Sequence, residues 1–295
     1  LSGVTSSQTT RIVFCEGHSE SIDIRLYRRI FIANRLPDAR YRIEIQPMGS
    51  KQAAKSFGQG YQAASRNPNW LIVRDRDLDA PPADNGELVH WGRIYLTGFT
   101  CLESYFLSPT LLYQFIQEYK IKFEGTEQDL QTSLNESIAQ LSNYQAVRWS
   151  LQQVRRHLQQ ATEQTRTYQT ETYFDLPNRL SKEDGKLPAS LDAYACLKEA
   201  EAIITQFMQG VIVVTKQISL MAIFSEYQQQ FQSEGFRHAV YRYWFHGKDV
   251  LRTWLRTIPN LSYAHYCQWA ADHLEWHKFP DLAALQRIAQ VESLI

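Results

Sequence analysis

Four carboxylates stand where short apolar runs give out. Glu16 and Glu20 follow Ile12, Val13, Phe14 and Cys15; Asp75 and Asp77 follow Leu71, Ile72 and Val73; a fifth acid, Glu103, lies inside Cys101-Leu-Glu-Ser-Tyr-Phe-Leu-Ser-Pro109. Carboxylates gathered in a crevice repel one another and lose hydration, and a hard cation among them relieves both effects. Magnesium takes oxygen ligands and keeps several waters, so a few carboxylates hold it. Phosphodiester cleavage needs a polarised phosphate, an activated water and a steadied leaving oxygen, with a positive side chain offsetting charge in the transition state. Lys248 is the candidate for that charge. Asp79 reads as a turn acid ahead of Pro81. A plain structural role stays open for Glu20 as a first-turn helix acid, for Glu103 as a helix cap and for Lys248 as a surface lysine.

The elements that must position these acids follow from hydrophobic periodicity. Residues 12–15 and 71–73 have the length and β-branching of buried strands, and Glu16-Gly17 closes the first. Ile22, Leu26 and Ile30 recur at helical spacing. Tyr41 to Ile45 alternates as a half-buried strand, Lys51 to Ser65 reads as a helix, and Trp91 to Leu96 as a further strand. Leu102 to Tyr119 reads as helix, with Pro109 at a break or a second start. The order β-α-β-α-β with short connections predicts a mainly parallel sheet covered by helices, and in such sheets ligands gather beyond the carboxyl ends of the strands.

Beyond residue 120 the character changes. Residues 127–169 carry no proline, and Leu130, Leu134, Ile138, Leu141, Val147, Leu151, Val154 and Leu158 mark one or two long amphipathic helices. A loop is expected over 174–188 and more helix over 191–209 and 214–231. This block is either a packing arm or a dimerisation and partner-docking surface. Residues 237–256 hold Arg237, Arg242, Lys248, Arg252 and Arg256 against Asp249, a local charge of +4, interleaved with Tyr241, Tyr243, Trp244 and Trp254. Basic residues among flat rings suit a nucleic-acid surface; a partly buried helix with solvated arginines reads the same way.

Composition sets limits. The chain has 295 residues, 44% hydrophobic and 13% aromatic, enough for one large domain or two modest ones and too rich in apolar residues for disorder. Its 31 basic and 31 acidic residues cancel, so any attraction to nucleic acid is local. The four cysteines form no Cys-x-x-Cys pair, which speaks against a disulfide framework and for a reducing cytoplasm. The histidines are taken to offer no metal-binding pair, and zinc is not expected. No apolar run is long enough to span a membrane, and the opening residues do not read as a signal peptide. Gly17-His-Ser-Glu-Ser21 lacks the second glycine of a nucleophile elbow, and Gly49-Ser-Lys-Gln52 lacks the rest of a phosphate-binding loop.

Glu-Gly after a strand, Asp-x-Asp after a later one and the Leu-Glu-Ser-Tyr segment together resemble the toprim domain of topoisomerases, primases and OLD-type nucleases, and in particular the DUF4435 toprim effectors of the PARIS anti-phage system. The resemblance covers residues 10–115 and, more weakly, 237–290, where Gly247-Lys-Asp249 is similar to a late turn of those proteins. It implies a toprim α/β core with a large helical insertion. It further implies Glu16 as acid/base or metal ligand, Asp75 and Asp77 as magnesium ligands, and Glu20 and Glu103 completing a two-metal site in which manganese can substitute. By the same resemblance the chain is a cytoplasmic toxic effector. A partner ATPase of the ABC or AAA type restrains it until release, and it then cuts host tRNA as a homodimer. The alternative is a regulatory or scaffold module that assembles with a partner. The expected organisation is a disordered lead-in at 1–10, the core at 11–119, the helical elaboration at 120–235 and a C-terminal segment at 236–295 completing the core.

Overall fold

A computed structural model describes residues 9–49, 69–82, 88–162, 192–208, 218–236 and 240–293. The helix expected over 51–65, the loop over 174–188, Arg237 and all but the end of the lead-in lie outside the described residues. The chain divides into two compact units, 1–124 with 258–295, and 125–257.

The first unit is a mixed α/β layer structure. Its elements begin with β1 (Thr10–Cys15), α1 (Ile22–Arg28) and a π-helical turn (Arg29–Ala33), followed by β2 (Arg42–Pro47), β3 (Trp70–Arg74), β4 (His90–Trp91) and β5 (Ile94–Leu96). A 3-10 turn (Leu102–Phe106) and α2 (Pro109–Glu118) complete its first segment. The sheet order is β2-β1-β3-β5-β4, parallel except for β4 against β5. Val13, Cys15, Leu71, Ile72 and Val73 are fully buried, as expected of central parallel strands covered on both faces. The expected single strand over 91–96 is a hairpin instead. Gly92 takes φ +57, and the chain doubles back there so that Trp91 pairs with Ile94.

The helix expected over 102–119 breaks before Pro109, which opens α2 with Ser108 accepting from the Leu111 N–H as the cap. The π-helical turn after α1 exposes carbonyls that its own ladder does not use. Gln286 donates to the Ile30 carbonyl at 3.0 Å and Gln290 to that of Phe31 at 2.9 Å. Both glutamines come from the last helix of the chain, so packing there supplies what the wide turn gives up.

The second unit comprises α3 (Glu127–Thr162), α4 (Ala193–Met208), α5 (Leu220–Gln232), α6 (Tyr241–Trp244) and α7 (Gly247–Leu255). One helix, rather than two, carries the apolar repeat: Leu130, Leu134, Ile138, Leu141, Val147 and Leu151 are all buried along α3, which packs on α4, α5 and α7. The expected boundary at 235/236 lies instead at 257/258. Residues 241–255 belong with α3 because Asp249 accepts from Arg148 at 2.6 Å and Gln145 at 2.9 Å. Trp149 donates to the Trp244 carbonyl at 2.7 Å and Trp254 to that of Leu130 at 3.1 Å. The chain then returns to the first unit through α8 (Tyr263–His273), a 3-10 turn (Trp276–Lys278) and α9 (Pro280–Gln290). No helix among the described residues is long and apolar enough to cross a membrane.

Candidate functional site

Three adjacent parallel strands deliver the candidate residues to one edge of the sheet. Glu16 follows β1, Asp75 follows β3, and Cys101 with Glu103 follow β5. The turn after β1 is set by Gly17, at φ +94, whose N–H and carbonyl pair with Gly49 at 2.8 and 2.9 Å. An added Cβ would collide with the Ser21 hydroxyl, the group that caps α1 by accepting from the Ile24 N–H. The turn after β3 is held to the loop after β5. Asp77 sits at φ +50 and donates its N–H to the Thr100 carbonyl at 2.6 Å, while the Arg76 N–H reaches the Thr97 hydroxyl at 3.2 Å. These bonds fix the spacing between the aspartates and the Cys101–Glu103 segment.

Asp75, Cys101 and Glu103 are all buried and offer ligand atoms that lie within 4.8 Å of one another. Glu103 also accepts from the Tyr263 hydroxyl at 3.1 Å, a bond that orients its carboxylate. The other expected ligands are placed differently. Glu16, with 18% of its side chain exposed, faces Arg74, whose Nε is 3.4 Å from Oε1. Arg74 also pairs with Asp79, so that turn acid is part of the same charge cluster. Glu20 is exposed ahead of α1, and Asp77 is half-buried. Among the described residues, Glu16, Glu20 and Asp77 are not members of the close three-ligand group.

Lys248 is half-buried in α7 of the second unit, where Arg242 and Arg252 are half-buried and Arg256 is exposed. Tyr241 and Trp254 are buried in that unit and are spent on its packing rather than offered for base stacking. Arg242 bonds the Tyr241 hydroxyl at 3.2 Å.

The field at the sheet edge is negative. Burial pushes the Tyr27 hydroxyl well above the ordinary phenol range, and Asp75, Cys15, Asp23 and Glu16 push it further. Burial, with Asp23 and Glu16, likewise raises the Cys15 thiol. Arg76 is the opposite case: desolvation lowers its guanidinium to about 10, and it donates to the carbonyls of Gly98 at 3.1 Å and Ala80 at 2.5 Å.

Sequence reasoning missed Cys101, Arg74 and Tyr27. Cys101 stands two residues before Glu103 and Arg74 directly before Asp75, so both were visible as neighbours of chosen residues. Tyr27 carries no such signal; only the inward face of α1 brings it there. The histidine expectation also needs correcting, because His273 and His277 do stand four apart. They fall on different elements, the end of α8 and the following 3-10 turn. His273 stacks on Trp269 at 4.0 Å, and its Nδ1 lies 2.8 Å from the Trp269 carbonyl.

No family model matches this sequence, and no curated protein matches it.

Proposed function

We propose that the chain is a divalent-metal-dependent phosphodiesterase of the toprim type that cuts nucleic acid. One observation carries the reading: carboxylates from the ends of three neighbouring parallel strands converge at one sheet edge, two of them buried with their oxygens close together. Two buried carboxylates at this separation repel strongly unless a cation or a proton is shared between them, so the donor set fits a metal ion. Asp75 and Glu103 would hold a divalent ion there, and the wider edge with Glu16 and Asp77 would take the magnesium or manganese of the reaction. An ion bound there would supply polarisation of a phosphate oxygen and a lowered pKa for its bound water.

The remaining chemistry belongs to the side chains. Glu16 touches solvent and would take the proton from an attacking water. Arg74 stands 3.4 Å from Glu16 and positions it, and the Tyr263 hydroxyl positions Glu103. Substrate preference for tRNA, release from a partner ATPase, action in the cytoplasm as a homodimer and a role in anti-phage defence extend this proposal through the resemblance set out above.

The test is incubation of the purified chain with total tRNA, plasmid DNA and single-stranded DNA, in magnesium, manganese or EDTA, beside Asp75→Asn and Glu16→Ala. Metal-dependent cutting that both variants lose is the expected result. Cutting retained in a folded Asp75→Asn Glu16→Ala double variant overturns the site. A second reading, a scaffold that docks a partner through the helical unit, is favoured by Tyr194 and Met221, large apolar side chains exposed by 77% and 52%. It predicts no cutting of any substrate and no toxicity in cells that depends on Asp75.

A further inference from the structure

The close ligand group contains a sulfur. Cys101 joins Asp75 and Glu103 with all three ligand atoms within 4.8 Å, and all three residues are buried. Ligand atoms around one first-row ion stand roughly 3 to 4.5 Å apart, so adjustment by a few tenths of an ångström seats an ion among them. A second observation points into the same place. Tyr27 is 1% exposed, and its hydroxyl has no hydrogen-bond partner among the described residues. Asp75, then Cys15, Asp23 and Glu16, are the charged groups that act on that hydroxyl, so it lies within electrostatic reach of the acids. A buried phenol without a partner carries a cost that a water held on an ion would remove.

We propose that Asp75, Cys101 and Glu103 bind a thiolate-accepting divalent ion of the manganese-to-zinc series in preference to magnesium, with the Tyr27 hydroxyl bonded to a water on that ion. This deepens the metal-centre reading given above and rests on it. The chemistry follows from ligand softness: magnesium demands oxygen and gains little from sulfur, whereas cobalt and zinc bind thiolate strongly. Binding replaces the thiol proton, which leaves to solvent as the sulfur–metal bond forms, so one proton is released for each ion taken up. The oxygen-rich remainder of the edge, with Glu16 and Asp77, stays suited to magnesium.

The experiment uses the full chain, stripped of metal and titrated with cobalt(II). An intense thiolate-to-cobalt charge-transfer band is expected. Cys101→Ser abolishes it, Cys196→Ser and Cys267→Ser keep it, and Asp75→Asn weakens cobalt binding at least about tenfold, as loss of a direct ligand should. Tyr27→Phe keeps the band and lowers affinity several-fold. Zinc raises the melting temperature of the wild type, and a hundredfold excess of magnesium does not reverse the rise. Should Cys101→Ser fail to fold, X-ray absorption on the zinc-loaded wild type reads the ligands directly. One sulfur among lighter atoms supports the proposal, and lighter atoms alone overturn it. Cobalt bound without the band, a band that survives Cys101→Ser, or displacement of zinc by magnesium also overturns it. Magnesium-dependent cutting by a protein that shows no cobalt band would sink this inference and leave the nuclease reading standing. A cobalt band with no cutting would do the reverse.

Discussion

Arg74 reaches across the β1–β3 pair to Glu16, its Nε 3.4 Å from Oε1. The parallel register that sets Cys15 beside Val73 brings the next residue of each strand together, so the contact is a product of strand pairing. The guanidinium also pairs with Asp79, so one buried cation contacts two acids at the edge of the candidate site.

Replacing Arg74 by Met leaves Glu16 and Asp79 as neighbouring like charges without their cation. We expect a loss of roughly 1–3 kcal/mol by urea denaturation, below the value for a fully buried pair because Glu16 touches water. If Glu16 takes the proton in catalysis, the acid limb of the pH–rate profile moves to higher pH in this variant and less so in Arg74→Lys. An unmoved limb would assign the base elsewhere.

Asp75→Asn removes one of the two buried carboxylates of the close ligand group. The metal-free variant should melt at or above the wild-type temperature, by up to about 1–2 kcal/mol, while its stabilisation by divalent ions is lost. Calorimetry with and without the ion reads both effects. A metal-free variant that melts well below the wild type would mean that Asp75 is held by the protein rather than kept for a cation.

Gly17→Ala should cost about 2 kcal/mol or more, since φ is +94 and the new Cβ meets Ser21. Adding Ser21→Gly removes the collision and leaves the backbone strain, so the double variant should recover part of the loss. Full recovery would show that the dihedral angle is cheap here.

In the second unit, Arg148 and Asp249 form an ion pair buried to 3% and 1% exposure, and Gln145 is the third member. Arg148→Met strands the carboxylate and should cost about 3–5 kcal/mol, whereas Arg148→Met with Asp249→Leu should restore most of it. Equal losses in the single and double variants would show that the pair does more than neutralise itself.

Alkaline pH should destabilise the chain through Cys15, Tyr27 and Tyr105. Burial raises all three, with the nearby carboxylates adding to it. The unfolded chain loses these protons from about pH 8.5 for the thiol and about pH 10 for the phenols, while the folded chain keeps them. Above those values the unfolded state binds fewer protons, so stability falls as pH rises. Arg76 acts in the opposite sense: folded, it deprotonates at about 10, below the unfolded value, and relieves its desolvation as pH rises past that point. Tyrosinate absorbance for Tyr27 and Tyr105 should therefore appear only with unfolding, and Tyr27→Phe should move the transition to higher pH.

The parallel core was legible because its strands are short, β-branched runs bounded by turn residues, and because the acids stand directly after them. Asp75 stands out on that signal, whereas Glu103 stands out only through the resemblance of its Leu-Glu-Ser-Tyr segment. Cys101 was not singled out, since nothing in a linear pattern says that a sulfur two residues from a glutamate will stand close to an aspartate from another strand. The hairpin at Gly92 was missed for a related reason: residues 91–96 look continuous, and only the φ of +57 turns them back. The boundary at 257/258 was hidden because α7 is amphipathic whichever unit it joins; Arg148 and Gln145, a hundred residues earlier, decide it.

Arg11, at the start of β1, donates to the carbonyls of Ile288, Ala289 and Glu292 at the end of α9. The first of these contacts spans 277 residues. The helical unit, by contrast, is one continuous stretch lying between the two segments of the sheet unit. Among the described residues, the strand partners of β1 lie within the first segment, and its tie to α9 is the contact of longest reach. Glu16 leaves the far end of the strand that Arg11 anchors, so cutting away the end of α9 should loosen the acidic edge as well as the helix.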